Sequence, residues 1–185
     1  MIIDQTVYTG RPADERLEKE MKCYELLDGL GIEYRRVDHE HADTIEACHA
    51  VEKLLEAEIC KNLFLTNRQQ TDFYLLLMPG DKPFKTKRLS KQLGVSRLSF
   101  ATAEHMEKYL NITPGSVSVL GLMNDRGKAV RLVMDSELLK AAYFACHPCI
   151  NSSSIRFTTK ELLEKVLPAL GHEATFVELP WKMEE

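Results

Sequence analysis

The stretch ICKNLFLTNRQQTDFYLLLM, residues 59–78, decides the fold because it predicts a β-hairpin. Its two apolar runs, ICKNLFLT and DFYLLLM, are rich in strand-forming residues and are separated by the polar segment NRQQTD. That arrangement is typical of two antiparallel strands joined by a turn. Predicted strands and helices then interleave irregularly along the chain, without a regular βα repeat. The sequence therefore predicts an α+β (mixed α/β) fold, with a mixed, curved or barrel-like β-sheet flanked by helices.

The remaining elements are predicted from hydrophobic periodicity and from capping residues. Apolar residues at 17, 21, 24 and 27 recur at helical spacing, and the glycines at 29 and 31 are typical of a helix end. Further helices are predicted within residues 43–58, 87–93, 103–110, 136–142 and 160–171. Single strands are predicted within 32–40 and 173–179, and two strands around a polar loop within 143–158. Residues 113–135 predict a loop, a strand, a turn at Asn124–Gly127 and a second strand.

The composition is that of an ordinary globular protein. The chain has 185 residues, 44% hydrophobic and 28% charged, so it can bury a core as one domain, residues 1–185. Residues 1–13 are expected to be a short N-terminal extension. No run of about 18 apolar residues indicates a membrane span, and the first 20 residues lack the basic-then-apolar order of a signal peptide. A cytoplasmic protein without membrane contact is expected.

Charge is distributed unevenly along the chain. The net charge is −4, which excludes a general binder of polyanions. Residues 81–97 nevertheless carry one acid, Asp81, against six basic residues, Lys82, Lys85, Lys87, Arg88, Lys91 and Arg97. A solvated helix face and a local phosphate-contacting patch explain this segment equally well.

The chain has five cysteines, an odd number that indicates reduced thiols here. Two of them form the CHPC motif, Cys146–Cys149. A CxxC pair can be a redox couple or half of a zinc site. The segment INSSSIRF that follows is not helical, and no second CxxC or HxxxH supplies two more ligands. No metal and no cofactor is predicted, and a thiol-redox or metal protein is the least favoured alternative.

Three polar stretches could bind a ligand, but each also has a purely structural interpretation. His147 and Asn151 lie in a loop with three serines, whose groups could bind a ligand or their own backbone. Gly115 and Ser116 could let backbone amides approach a ligand or could simply form a turn. Lys61 could extend along apolar surface to solvent or pair with an acid. Taken singly, the structural interpretation is favoured for each stretch.

Taken together, four motifs resemble those of one family. CKNLFL, RLSFATAEHMEKYLNI, TPGSVSVLGLMND and HPCINSSSI, spread over residues 60–155, match the free-standing prolyl-tRNA editing proteins. Those proteins are relatives of the editing domain inserted in bacterial prolyl-tRNA synthetases. The resemblance covers roughly Leu17 to Pro180, and the most similar subgroup removes alanine mischarged onto proline tRNA.

The resemblance implies a fold, a reaction and a set of site residues. The fold is a mixed, barrel-like sheet flanked by helices, and the reaction is hydrolysis of the ester between an amino acid and the terminal adenosine of tRNA. Lys61, His147 and Gly115 match the family's catalytic positions, Gly115 as the first residue of a GxxxP loop whose amides face the aminoacyl group. Substrate-binding positions fall on Asn62, Thr44, Ser116, Val117, Ser118, Asn151 and Ser153. The fifth GxxxP position is Val119, a departure that bears on pocket size.

The implied partner is the aminoacylated 3′ end of tRNA(Pro), with prolyl-tRNA synthetase or the elongation machinery as further candidates. Contacts to tRNA are expected from Lys82, Lys85, Lys87, Arg88 and Lys91. A non-catalytic regulator that binds tRNA or an amino acid with the same fold is the alternative.

Overall fold

The computed structural model describes residues 2–41 and 45–182. Its strands are β1 Tyr8–Thr9, β2 Arg35–Asp38, β3 Lys61–Asn67, β4 Phe73–Met78, β5 Leu98–Phe100, β6 Val130–Asp135, β7 Tyr143–Cys146, β8 Ser153–Thr158 and β9 Thr175–Val177. Its α-helices are α1 Glu18–Gly29, α2 Ile45–Leu55, α3 Thr86–Leu93, α4 Ala103–Leu110, α5 Thr159–Glu161 and α6 Leu167–Leu170. Two 3₁₀ helices, Val119–Asn124 and Ser136–Lys140, and a π-helical turn, Leu162–Val166, complete the described elements.

The predicted hairpin is confirmed as β3 and β4. The two strands pair antiparallel from Lys61 opposite Met78 to Thr66 opposite Phe73. Asn67 closes the connection, because its side-chain oxygen accepts hydrogen bonds from the amides of residues 71 and 72. The hairpin belongs to a five-stranded sheet with the order β5-β3-β4-β6-β9. Since β4–β6 and β6–β9 are parallel and the other pairs antiparallel, the sheet is mixed, as expected.

Strand β4 is apolar along its whole length because both of its faces are covered. One face enters the largest core cluster with helix α1, and its residues there are Phe73, Leu75 and Leu77. The opposite face packs against α3 through Tyr74, Leu76 and Met78. A strand that is buried on both faces reads as a continuous apolar run rather than an alternating one.

The second sheet is antiparallel and has four strands in the order β1-β2-β8-β7. Strand β1 lies in the segment expected to be an N-terminal extension, and Ile3 forms an isolated bridge with His39. The described part of that segment is therefore joined to the sheet by backbone pairing.

Backbone pairing joins the two sheets at a parallel bridge between Ile59 and Ala145. There the amide of Cys60 donates to the carbonyl of Ala145 at 3.2 Å. Among the described residues, the strands form two open sheets joined at this bridge and not one closed barrel. The mixed α+β prediction is confirmed. Periodicity could not decide whether the sheet closes into a barrel, and the described strands do not form one.

Two local predictions were wrong. The apolar run at 119–124, predicted as a strand, is a 3₁₀ helix that the Ser118 hydroxyl caps by accepting from the Leu120 amide. Val119, Leu120 and Leu122 are buried without pairing to a strand among the described residues, and periodicity cannot separate this case from a buried strand. Leu17, counted in the helical spacing of the first helix, precedes α1, which begins only at Glu18, and it is 62% exposed. No helix of the described residues is long and apolar enough to cross a membrane.

Candidate active site

The bridge between the sheets brings two distant sequence stretches to one place. Ile59 and Ala145 pair in parallel, so the chains leave the bridge in the same direction. Lys61 lies two residues beyond Ile59, and His147 lies two residues beyond Ala145. The lysine of β3 and the histidine that follows β7 therefore each lie two residues beyond the same bridge.

Lys61 is held in a fixed position at the start of β3. Its ammonium nitrogen donates to the backbone carbonyl of Lys82 at 2.7 Å, in the loop between β4 and α3. The side chain is partly buried, and this burial lowers its pKa, with the nearby charge of Asp81 opposing the shift. A lysine ammonium has three donors, and the described residues occupy one of them, which leaves two N–H groups for a ligand.

Asn62 carries a buried acceptor at the start of β3. Its amide nitrogen donates to the Cys60 carbonyl at 3.1 Å and lies 3.4 Å from the Cys60 sulfur. The side-chain oxygen is buried and has no hydrogen bond within the described residues. Because an unsatisfied buried acceptor is costly, this oxygen is suited to a donor supplied by a ligand.

The tautomer of His147 can be assigned from its surroundings. Its Nδ1 lies 3.0 Å from the carbonyl oxygen of Ser153, which can only accept. Burial lowers the pKa of His147, with the Ser153 hydrogen bond opposing the shift, so the ring is neutral near pH 7. A neutral ring beside that carbonyl carries its proton on Nδ1 and a lone pair on Nε2. No protein partner for Nε2 lies within the described residues.

Gly115 and Asn151 show that the Gly115 loop lies next to the loop that follows β7. Gly115 has φ +90°, a conformation that residues with a side chain rarely adopt. A Cβ atom at this position would lie 3.5 Å from the side-chain nitrogen of Asn151. The Asn151 side chain is buried and, within the described residues, makes no hydrogen bond. The loop after Gly115 and the HPCINSSS loop are therefore neighbours.

The amides after Gly115 differ in their availability. The Ser116 amide donates to the Thr113 carbonyl at 3.1 Å. The Ser118 hydroxyl is fully buried, caps the 3₁₀ helix and lies within hydrogen-bonding reach of the Cys146 thiol. The backbone amides of Val117 and Ser118 have no acceptor in the described part of the chain. The loop can thus contribute these two N–H groups rather than serine hydroxyls.

Ser153 occupies a structural network. Its hydroxyl donates to Asp38 at 2.6 Å and lies 3.1 Å from a guanidinium nitrogen of Arg16. Burial alone would raise the pKa of Asp38, but hydrogen bonds from Arg16, Arg36 and Ser153 outweigh it and lower the pKa. The structure does not support a direct substrate contact by Ser153, because its hydroxyl is fully buried and already bonded. Thr44, the predicted pocket threonine, lies outside the described residues.

The predicted tRNA-contacting lysines fall into two groups. Lys82 is buried, forms an ion pair with Asp135 at 2.8 Å and lies 4.9 Å from the Trp181 ring centre. The structure therefore does not support Lys82 as a phosphate contact. Lys85, Lys87 and Lys91 are exposed, and Arg88 is partly buried. A cavity of about 480 Å³ beside α3 is lined by Thr86, Lys87, Ser90 and Arg97.

The CHPC cysteines are core residues. Cys146 and Cys149 are buried, and burial raises the pKa of Cys146, so its thiol is protonated. The Cys149 sulfur lies 3.5 Å from that of Cys23. Within the described residues no group of three or more His, Cys, Asp or Glu side chains could hold a metal ion. Both thiols therefore lack the exposure that a catalytic cysteine needs, and the raised pKa of Cys146 is the opposite of what a thiolate nucleophile requires.

Comparisons with known proteins identify the family and the fold that this chain resembles. The aminoacyl-tRNA editing domain family matches residues 39–165. The prolyl-tRNA editing protein ProX of Acetoanaerobium sticklandii is 33% identical over 153 residues, which are 83% of this chain and 93% of that protein. Prolyl-tRNA synthetase associated domain-containing protein 1 of Danio rerio is 31% identical over 82% of this chain and 81% of its own length. A crystal structure of a candidate trans-editing enzyme for prolyl-tRNA synthetase superposes with a TM-score of 0.65 over 90% of this chain and all of that one, at 17% identity.

Proposed function

The chain belongs to the aminoacyl-tRNA editing domain family, and we propose that it hydrolyses mischarged aminoacyl-tRNA in trans, with alanyl-tRNA(Pro) as its substrate. The observation that carries the proposal is the meeting of three sequence stretches at one place. These stretches provide Lys61, the Gly115 loop and His147. Together they supply a cation, two unpaired amides and a neutral imidazole, which are the groups that ester hydrolysis needs.

The reaction requires water to attack the ester carbonyl while the bond to the ribose oxygen breaks. His147 Nε2 accepts the proton of the attacking water and returns it to the leaving ribose oxygen. The free amino acid and a tRNA with an intact terminal ribose are the products. The lowered pKa of His147 keeps this nitrogen unprotonated at neutral pH, which the first step needs.

The tetrahedral intermediate carries its negative charge on the former carbonyl oxygen. The amides of Val117 and Ser118 are the donors assigned to this oxyanion, because the Ser116 amide is occupied by Thr113. Gly115 sets the direction of these amides through its positive φ. The buried oxygen of Asn62 accepts from the α-ammonium group of the aminoacyl moiety.

Lys61 adds a positive charge next to the reacting ester. One of its N–H groups is fixed by the Lys82 carbonyl, so the other two point in directions set by the loop. Such a preorganised charge stabilises the ester oxygen or the terminal phosphate without further ordering. The lysine thereby positions the 3′ end for attack.

The tRNA backbone extends from this point along α3. The loop that accepts from Lys61 leads directly into that helix, so its exposed Lys85, Lys87 and Lys91 lie along a path that starts beside Lys61. The helix has 8 residues and is about 12 Å long. We assign these lysines to phosphates of the acceptor end. Prolyl-tRNA synthetase or the elongation machinery, in the cytoplasm, would deliver this substrate.

A deacylation panel tests the proposed function. The protein is incubated with alanyl-, prolyl- and cysteinyl-tRNA(Pro), and loss of the ester is followed. We expect fast loss of alanine and slow loss of proline, because the pocket excludes the larger ring. Lys61→Ala should abolish most of the activity, whereas Lys160→Ala, at an exposed position of α5, should not. Measurable tRNA binding without turnover of any ester would favour the regulator instead.

A salt titration tests the tRNA surface separately. Replacing Lys85, Lys87 and Lys91 with glutamate should weaken tRNA binding and flatten its dependence on salt. The slope of log K against log salt should fall by about 0.7 to 0.9 for each phosphate that is no longer neutralised. Lys160→Glu, a single Lys→Glu change away from α3, is the control and should leave the slope unchanged. An unchanged slope in the triple variant would exclude this surface.

A further inference from the structure

A chain of hydrogen bonds connects His147 to a buried histidine, His39. The Ser154 hydroxyl oxygen lies 3.2 Å from His147 Nδ1 and 2.9 Å from His39 Nε2. His39 Nδ1 in turn lies 2.6 Å from the carbonyl oxygen of Glu40. The two rings are 6.0 Å apart. Sequence reasoning did not select His39, because nothing in the segment VDHEH distinguishes it from a surface residue at a strand end.

The chain has only one consistent direction of proton donation. The Glu40 carbonyl can only accept, so neutral His39 carries its proton on Nδ1 and a lone pair on Nε2. That lone pair takes the proton of the Ser154 hydroxyl. The serine oxygen is then left with lone pairs toward His147 Nδ1–H, which also donates to the Ser153 carbonyl. Each donation strengthens the next one along the chain.

The other tautomer of His147 is excluded by the same geometry. With its proton on Nε2, the ring would turn a lone pair toward the Ser153 carbonyl. It would need the Ser154 proton, which His39 already accepts. Without His39, the Ser154 hydroxyl could rotate and donate to Nδ1, which would favour the wrong tautomer. His39 thus acts together with the Ser153 carbonyl, because it keeps the Ser154 proton away from His147 Nδ1.

The far end of the chain is firmly held. His39 and Ser154 are buried, at 7% and 0% exposure. The His39 amide donates to the Ser152 carbonyl, and the Glu40 amide donates to the Ile2 carbonyl at 2.9 Å. Burial lowers the pKa of His39, so it remains a neutral acceptor at pH 7. The N-terminal segment therefore contributes to the alignment of Glu40 with His39.

We propose that His39 and Ser154 are positioning residues that hold His147 as its Nδ1–H tautomer and so direct the Nε2 lone pair at the substrate. This proposal rests on the proposed function for its kinetic consequence, but the tautomer itself can be measured without substrate. Partners that orient a metal-bound histidine from behind typically change activity by about 10- to 100-fold when removed, and we expect a loss of that order for His147. We expect the change in kcat, with KM nearly constant, because the residues do not touch the substrate.

The first experiment records long-range ¹H–¹⁵N spectra of the substrate-free protein at pH 7.5, with the His147 ring assigned by the disappearance of its signals in His147→Asn. The wild type should show a protonated Nδ1 and an unprotonated Nε2. His39→Phe, which removes the acceptor, should shift the ring toward the other tautomer. His39→Gln keeps an acceptor near the Nε2 position and should retain the wild-type pattern. A wild-type ring protonated on Nε2, or an unchanged pattern in His39→Phe, would overturn the proposal.

The second experiment measures deacylation by the same variants. His39→Phe and Ser154→Ala should lower kcat by about 10- to 100-fold, and His39→Gln should restore most of it. Ser152→Ala is the control on the same loop, since its side chain is exposed. If the wild type hydrolyses no ester, the proposed function fails while the spectra still decide the tautomer. If His39→Phe does not fold, Ser154→Ala and Ser154→Thr test the same chain of hydrogen bonds, because only the threonine keeps the hydroxyl between His39 and His147. The same kcat and the same His147 tautomer in both variants would contradict the proposal.

Discussion

Gly115→Ala is the sharpest perturbation of the site that the structure offers. At φ +90° an alanine is strained, although its Cβ would meet only the Asn151 side-chain nitrogen at an ordinary 3.5 Å. The penalty is therefore a backbone effect of about 1–2 kcal/mol. The loop can relieve it only by turning the peptide groups that follow, which carry the amides of Val117 and Ser118.

The expected consequence for activity is larger than that for stability. A cost of about 1–2 kcal/mol lowers Tm by roughly 2–8 °C in a chain of this size. Misdirecting one oxyanion donor lowers kcat by about 10²- to 10³-fold. We therefore expect Gly115→Ala to remain folded at 25 °C but to lose most of its alanyl-tRNA(Pro) deacylation under single-turnover conditions.

Gly10→Ala is the matched control. Gly10 has φ +85°, and a Cβ added there would meet no atom within 4 Å, so its alanine variant carries the same backbone strain away from the Gly115 loop. Both variants should lose similar stability in thermal unfolding, and only Gly115→Ala should lose kcat. Equal activity in the two variants would refute the assignment of the Gly115 loop to the oxyanion.

Three further predictions concern pH, the pocket and the core. Because burial lowers the pKa of His147, the enzymatic rate should stay constant as pH falls through about 6.5, the ordinary histidine value, and decline only below it. Because burial also lowers the pKa of Lys61, the rate should decline on the alkaline side before the ordinary lysine pKa is reached. A pH–rate profile corrected for spontaneous hydrolysis measures both limits. Val119→Pro should fold, because the preceding residue, Ser118, is already extended at φ −149° and ψ 146°. The variant should alter the ratio of alanyl- to cysteinyl-tRNA(Pro) turnover. An unchanged ratio would show that position 119 does not affect substrate selectivity. Lys82→Met leaves Asp135 buried without its cation and should cost about 3–5 kcal/mol in urea unfolding, whereas a phosphate-contacting lysine would leave stability unchanged.

Local sequence signals were sufficient where an element depends on its own residues. The hairpin of β3 and β4 and the helix Ala103–Leu110 were predicted within a residue or two, since turn chemistry, capping and periodicity act over a few positions. The run at 119–124 was misread because an apolar segment buried on all sides has no diagnostic period. Sequence alone could not separate Lys82 from the exposed lysines near it, because its buried partner, Asp135, is 53 residues away.

The sequence by itself determined the mixed class, the family resemblance and the residue types that suit ester hydrolysis. Only the tertiary structure decided how those residues can act. The Ile59–Ala145 bridge sets Lys61 and His147 at equal steps from one place, and the Glu40 and Ser153 carbonyls fix which imidazole nitrogen carries a lone pair. The physical reason is that hydrogen bonds and buried charges depend on distance in space, and the groups that satisfy them here come from distant segments, as His39 and Ser154 do at 115 residues apart.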